Sequence, residues 1–392
     1  MEFQILVNFK FLNDLIWPPA CRWLLLLMKQ FLFYLTTVIS LLFIGSCSSD
    51  ENEETQYSDL FQNVADNIII PRYSNFDESL SDLISELNNF DSTELSSLEI
   101  LQEKFINAYL SWQKVSAFEF GPAGETSALL RSNINTFPTN STKIESNIQN
   151  NDYNLEAASN FSAKGFPALD YLLFHTSQSE LLIELMNESR INYMKNCLID
   201  MQSKLDYVIN GWDTYRNVFV ESEGNDQSSS LSLLFNHFLF DYEQLKRNKF
   251  ALPAGFASSY GIPISSDPSK VEGFYSGKSF ELIYANLTAL ESVFMGMGEN
   301  GVDGIGIYEM LKEYNAVSTV VEGDLSEAIA NQFLICKELV NQFSNELAYE
   351  ILNNISQVQE TSNELQKMVP MIKNDMRSYF SVTVTLGDSD GD

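Results

Sequence analysis

The chain has 392 residues, 45% of them apolar, with 23 Lys or Arg against 53 Asp or Glu, for a formal charge of −30. That length leaves room for two domains, and the apolar share is ample for packed cores. A field this negative repels nucleic acid and anionic lipid headgroups, excluding nucleic acid as a partner, and it concentrates cations near the molecule.

The N-terminus reads as an address. After Met28 come Lys29, an apolar run from Phe31 to Ile44, and then Gly45, Ser46 and Cys47, the shape of a bacterial secretion signal ending in a lipobox. This predicts a lipidated Cys47 as the first mature residue, with residues 1–46 as upstream segment and signal. Several acyl chains on one residue suffice for stable membrane anchoring, since each buried methylene adds about 0.8 kcal/mol. The alternative, an uncleaved membrane helix from Leu24 to Ile44, is disfavoured by Lys29 and Gln30 inside it. Residues 47–56 then form a polar tether, and the expected location is the cell envelope, on an outer membrane, facing either the periplasm or the exterior. Cys197 and Cys336 are the cysteines left in the mature body, expected as buried free thiols, with a disulfide between them as the alternative.

Past the tether, helical periodicity dominates. Leu80, Leu83, Ile84 and Leu87 keep the 3,4 spacing, as do Leu98, Leu101, Phe105, Tyr109, Trp112, Val115 and Phe118, until Gly121-Pro122 ends the run. A short segment around Leu130 follows, ended by Pro138, then the polar stretch 139–154, then KGFPALDYLLF at Lys164–Phe174. From Leu181 to Phe219 the pattern predicts one long helix or two end to end. The segment Glu221–Ser230 has no apolar residue and reads as a linker, dividing a first helical bundle, 57–222, from a second, 223–392. In the second, the Gly/Pro-rich stretch 252–270 is a long loop of the kind that carries function. Helices are expected to resume near Val271, to pause at 296–306, and to run from Asp324 to about Phe380. SVTVT is expected as a short strand before a polar tail.

The fold class is therefore all-α, two bundle-like halves. Aligning Tyr109–Gly121 with Tyr284–Gly296 without a gap keeps a tyrosine at one end and a glycine at the other, which suggests an internal repeat. A site is then expected in the crevice where the halves meet.

Candidate chemistry lies with carboxylates. His175 and His237 are the histidines, each read as a surface or capping residue, and no His-x-x-x-His, Cys-x-x-Cys, G-x-S-x-G or phosphate-loop pattern occurs. Glu119, Asp170, Asp241, Glu243 and Glu272 stand out because large apolar residues flank them, and an acid there is costly unless paired or coordinating. Arg131 is the expected pairing partner in the first half, Lys246 and Lys278 in the second. Unpaired, such a set would suit iron or another oxygen-ligated cation. In KGFPALDYLLF, Pro167 suits a first helical turn and Asp170 follows on the same face, favoured by the positive helix end.

This string resembles the Gly-x-His-x-x-Glu signature of the imelysin family, bacterial envelope proteins linked to iron uptake and also labelled peptidases. Gly165 matches, Pro167 stands where the histidine should be, and Asp170 where the glutamate should be. SWQKVSAFEFGPAG, the NTFP at Asn135–Pro138, FDYEQLKRNKFALPAG, VEGFYSGKSFELIYANL and the ending after Met371 extend the resemblance over most of the mature chain. It implies an all-helical fold of two bundles and a role in iron acquisition, with an iron carrier, haem or a protein of the uptake system as partner. A proline side chain has no donor atom, so metal binding or peptidase chemistry through this motif is not expected, and Asp170 remains as the metal candidate. The functional expectation is a non-catalytic binding lipoprotein, with a metal-dependent peptidase and a structural or adhesive surface protein as alternatives.

Overall fold

Among the described residues, three widened, π-helical turns shape this all-helical chain, each with a proline within two residues of one end. The structure is a computed structural model that describes residues 57–386 apart from Tyr260. The signal, Cys47, the tether and the tail after Leu386 lie outside the described residues. The first rod runs as α1 (Tyr57–Asn63), a π turn (Val64–Ile69) and α2 (Ile70–Asn89). Pro71 has no N–H to give the Asn67 carbonyl four residues back, and that carbonyl instead accepts from Glu299 N at 3.1 Å.

The first half continues with α3 (Leu95–Val115), α4 (Leu130–Ile134), α5 (Ser141–Asn150), α6 (Gly165–Phe174), α7 (Gln178–Glu184) and α8 (Glu188–Val220). The stretch 181–219 is thus two helices, broken at 185–187 where Asn187 caps α8 by accepting from Ser189 N. The polar stretch after Pro138 hides α5, capped by the Asn140 side chain and seated on buried Ile144 and Ile148.

The second half comprises α9 (Ser230–Gln244), a π turn (Leu245–Ala251), α10 (Leu252–Ala254), α11 (Ser279–Met295), α12 (Ile307–Glu313), α13 (Leu325–Asn341), α14 (Leu347–Asn353), α15 (Ile355–Pro370), a π turn (Met371–Met376) and α16 (Arg377–Phe380). Ser258–Ser259 pair antiparallel with Ile262–Pro263 as the two-strand hairpin of the Gly/Pro-rich loop. Two expectations are corrected here. Helix does not resume at Val271 but at Ser279, because Gly273 and Gly277 adopt positive φ and turn the chain into a loop. SVTVT forms no strand: Ser381 turns the chain at φ +52°, and Thr385 N donates to Asn236 Oδ1 at 2.7 Å.

α2 packs on α3 and α8, while α11 packs on α13, which packs on α15. The halves meet where α3 lies against α11. One hydrophobic core runs through both, from Leu60 to Val382, so residues 57–386 form one body. Among the described residues, no helix is long and apolar enough to cross a membrane.

Candidate functional site

Gly165 opens α6 at φ +69°, and a Cβ there would stand 2.1 Å from the Ile134 carbonyl oxygen, so glycine is required for α6 to begin this close to α4. Pro167 follows in the first turn, buried. Asp170, 2% exposed, projects across to the second half, where its two carboxylate oxygens accept from Tyr275 N at 2.9 Å and Ser276 N at 3.1 Å. Burial pushes its carboxyl up to about 6, against the pull of those hydrogen bonds. Asp170 is the pin for the loop 273–278.

Pro167 and Asp170 line a cleft of about 290 Å³ with Phe137, Pro138, Phe274 and Tyr275. A neighbouring cavity of about 310 Å³ shares Phe137, Pro138 and Lys270 and adds Arg131, Asn135 and Lys249. Both are walled by residues from the two halves. The pinned loop also carries Ser276, Gly277 and Lys278 into a third, larger cavity of about 860 Å³, whose lining includes Phe280, Tyr284 and Phe343 and none of the five acids singled out in the sequence.

The remaining acids are used structurally. Arg131 reaches Glu119 Oε2 at 3.1 Å, as expected, and also Asp241 Oδ1 at 2.5 Å in the other half. The second oxygen of Asp241 accepts from Ser116 Oγ at 3.0 Å and Asn286 Nδ2 at 2.7 Å. Glu272 accepts from Gln113 at 2.8 Å and Asn135 at 2.7 Å, and its other oxygen lies 3.1 Å from Lys249 Nζ. The cation for Glu272 is Lys249, and Lys278 pairs with its own helix neighbour Glu281. Glu243 lies 3.6 Å from Lys373, within the second half. Asp241, Glu243 and Glu272 are buried, and none of them lines the cleft that Asp170 lines.

The donor set does not suit a cation held at Pro167 and Asp170. Each Asp170 oxygen already accepts one backbone N–H, proline offers no ligand atom, and no other carboxylate, imidazole or thiol among the described residues lines the cleft. Among the described residues no group of three or more His, Cys, Asp or Glu could hold a metal ion. His175 caps α6 and lies 3.2 Å from Glu184. His237 is not a surface residue: it packs on Phe120, and burial, followed by the charge of Arg131, lowers it to about 4. Cys197 and Cys336 are buried free thiols, with burial pushing Cys197 up to about 12. Sequence reasoning missed Lys249, Gln113, Asn135 and Asn286; for Gln113 and Asn286 the signal was a polar residue inside an apolar helical face, while Asn135 lies just past α4 and Lys249 in a π turn.

A family model described as Imelysin (Peptidase_M75) matches residues 69–369. No curated protein matches the chain significantly. Among solved structures, a "putative iron-regulated protein A precursor" from Parabacteroides distasonis ATCC 8503 is similar with a TM-score of 0.64 at 16% identity, over 84% of this chain and 97% of that one. An imelysin-like protein from Psychrobacter arcticum 273-4 is similar with a TM-score of 0.61 at 16% identity, over 85% of this chain and 97% of that one. These structures share the all-helical fold, and the family match spans most of the sequence: the chain belongs to the imelysin family.

Proposed function

We propose that this imelysin-family protein is an envelope-anchored, non-catalytic binding component of iron uptake, tethered through a lipidated Cys47 and taking its ligand in the cleft between its halves. The carrying observation is the role of Asp170. With Pro167 beside it in place of histidine and both oxygens on Tyr275 and Ser276, it is committed to positioning a binding loop. An activated water needs a free base or an open metal position, and neither residue supplies one. The likeness to a Parabacteroides protein described as iron-regulated supports the physiological setting.

The paired acids argue against bare cations as the cargo. The neighbouring cavities of about 290 and 310 Å³ mix aromatic walls, Phe137, Phe274 and Tyr275, with hydroxyls and amides and with cations from Arg131, Lys249 and Lys270. Cavities with this mixed lining suit the polar and aromatic parts of an organic iron carrier or the edge of a haem better than a bare cation. Titration of the full chain with haem, a ferric carrier complex, ferric, ferrous and calcium ions tests this, with Asp170→Asn as the comparison. The expected result is binding of haem or the carrier complex, weakened in the variant. Metal-dependent cleavage of peptides would overturn the reading, and absence of binding by every probe would favour a structural or protein-docking role.

A further inference from the structure

We infer that the π turn Leu245–Ala251 builds a second ligand site, separate from the cleft between the halves, for a small oxoanion carrying a phosphate or carboxylate group. The turn faces α15 across a cavity of about 230 Å³, lined by Lys246 and Arg247 together with Gln359, Ser362, Asn363 and Gln366. Among the described residues, no carboxylate lines it. In a chain of charge −30, a concave surface that sets the Arg247 guanidinium beside amides and hydroxyls, with Ala251, Phe256 and Ala257 as its apolar wall, favours negative ligands.

Arg247 is the central observation. The other buried arginines are matched by acids: Arg72 by Glu299, Arg190 by Glu145 and Glu184. Arg247, 9% exposed, has instead neutral acceptors among the described residues, Asn248 Oδ1 at 3.2 Å and the Ser258 carbonyl at 2.8 Å. Its Nε is buried with no hydrogen-bond partner. A guanidinium carries five donors in a planar fork that matches an oxoanion, and a buried one left without an anion is costly.

The backbone explains how the site arises. Pro253 cannot donate to the carbonyl of Lys249 four residues earlier, and the chain accommodates it by widening the preceding turn. The widened turn sends Asn248 and Lys249 towards the cleft and Lys246 and Arg247 towards α15. The cavity holds about seven water volumes, enough for phosphate or a small polycarboxylate.

Calorimetric titration of the full chain with inorganic phosphate, and separately with citrate, tests the site and separates the two sources of the anion. Saturable one-to-one binding of at least one probe is expected. Arg247→Gln should weaken it at least about tenfold, the effect of losing a charge-assisted hydrogen bond. Gln366→Glu, at an exposed position on the rim, should weaken it through repulsion without disturbing the core, and it decides the matter if Arg247→Gln fails to fold. Lys270→Gln, in the cleft, should leave it unchanged. No heat from either probe at tens of millimolar, or binding that responds to Lys270→Gln and not to Gln366→Glu, would overturn the assignment.

Discussion

Nη2 of Arg131 lies 2.5 Å from Oδ1 of Asp241, an ion pair that ties the first half of the chain to the second at a point where Asp241 is fully buried. Removing one partner strands the other, whereas removing both spares that desolvation penalty. Arg131→Met should therefore cost about 3–5 kcal/mol, and Arg131→Met combined with Asp241→Leu should cost less than the two single changes added together. Urea unfolding of the four proteins measures the coupling; strict additivity would show that the pair does not act as a unit.

Glycine makes two separable demands on this chain, and two substitutions isolate them. Gly224 has φ +82° with open space around it, so Gly224→Ala should cost only backbone strain, about 1 kcal/mol. Gly165 has φ +69° and the Ile134 carbonyl in the way, so Gly165→Ala should cost about 3 kcal/mol or more because α6 must retreat from α4. Thermal melts of the two variants give the comparison, and equal losses would mean that α6 has room to shift.

How much of this was legible beforehand depends on what kind of contact is involved. The all-helical class follows from 3,4 spacing, and Arg131 as partner of Glu119 follows from proximity within one short stretch. Lys249 was hidden because the π turn Leu245–Ala251 breaks the regular helical phase, so spacing does not show which of its side chains turn towards Glu272. The loop 273–278 was hidden because Val271, Phe274 and Tyr275 look like a helical face until Gly273 and Gly277 turn the backbone. Its hold on Asp170 runs through backbone N–H groups, which carry no side-chain signature at all.

Asp170 and His237 should oppose each other in acid. Asp170 is raised from 3.8 to about 6, so the folded state keeps a proton that the unfolded chain releases, and this group's contribution to stability falls as pH rises from about 4 to 6. His237 is lowered from 6.5 to about 4, so the unfolded chain binds the extra proton, and its contribution rises with pH across about 4 to 6.5. Each shift corresponds to about 3 kcal/mol at about 1.4 kcal/mol per pKa unit. Relative to wild type, Asp170→Asn should gain stability as pH rises through this window and His237→Phe should lose it. Denaturant midpoints at several pH values read both slopes, and parallel profiles for all three proteins would refute the assignment.

Restoring the family histidine should not by itself create a metal site. The backbone nitrogen of residue 167 lies in the first turn of α6, where no intrahelical acceptor awaits an N–H, so Pro167→His is compatible with the helix. The new imidazole would face a carboxylate whose two oxygens already accept from Tyr275 and Ser276. Recruiting Asp170 as a ligand would cost those hydrogen bonds and release the loop 273–278, leaving one imidazole as the main donor. Pro167→His should thus bind zinc or ferrous ion no more tightly than wild type in calorimetric titration, with little change in thermal stability. Tight binding that disappears when Asp170→Asn is added would show that the carboxylate is available after all, and that the proline alone had kept metal out.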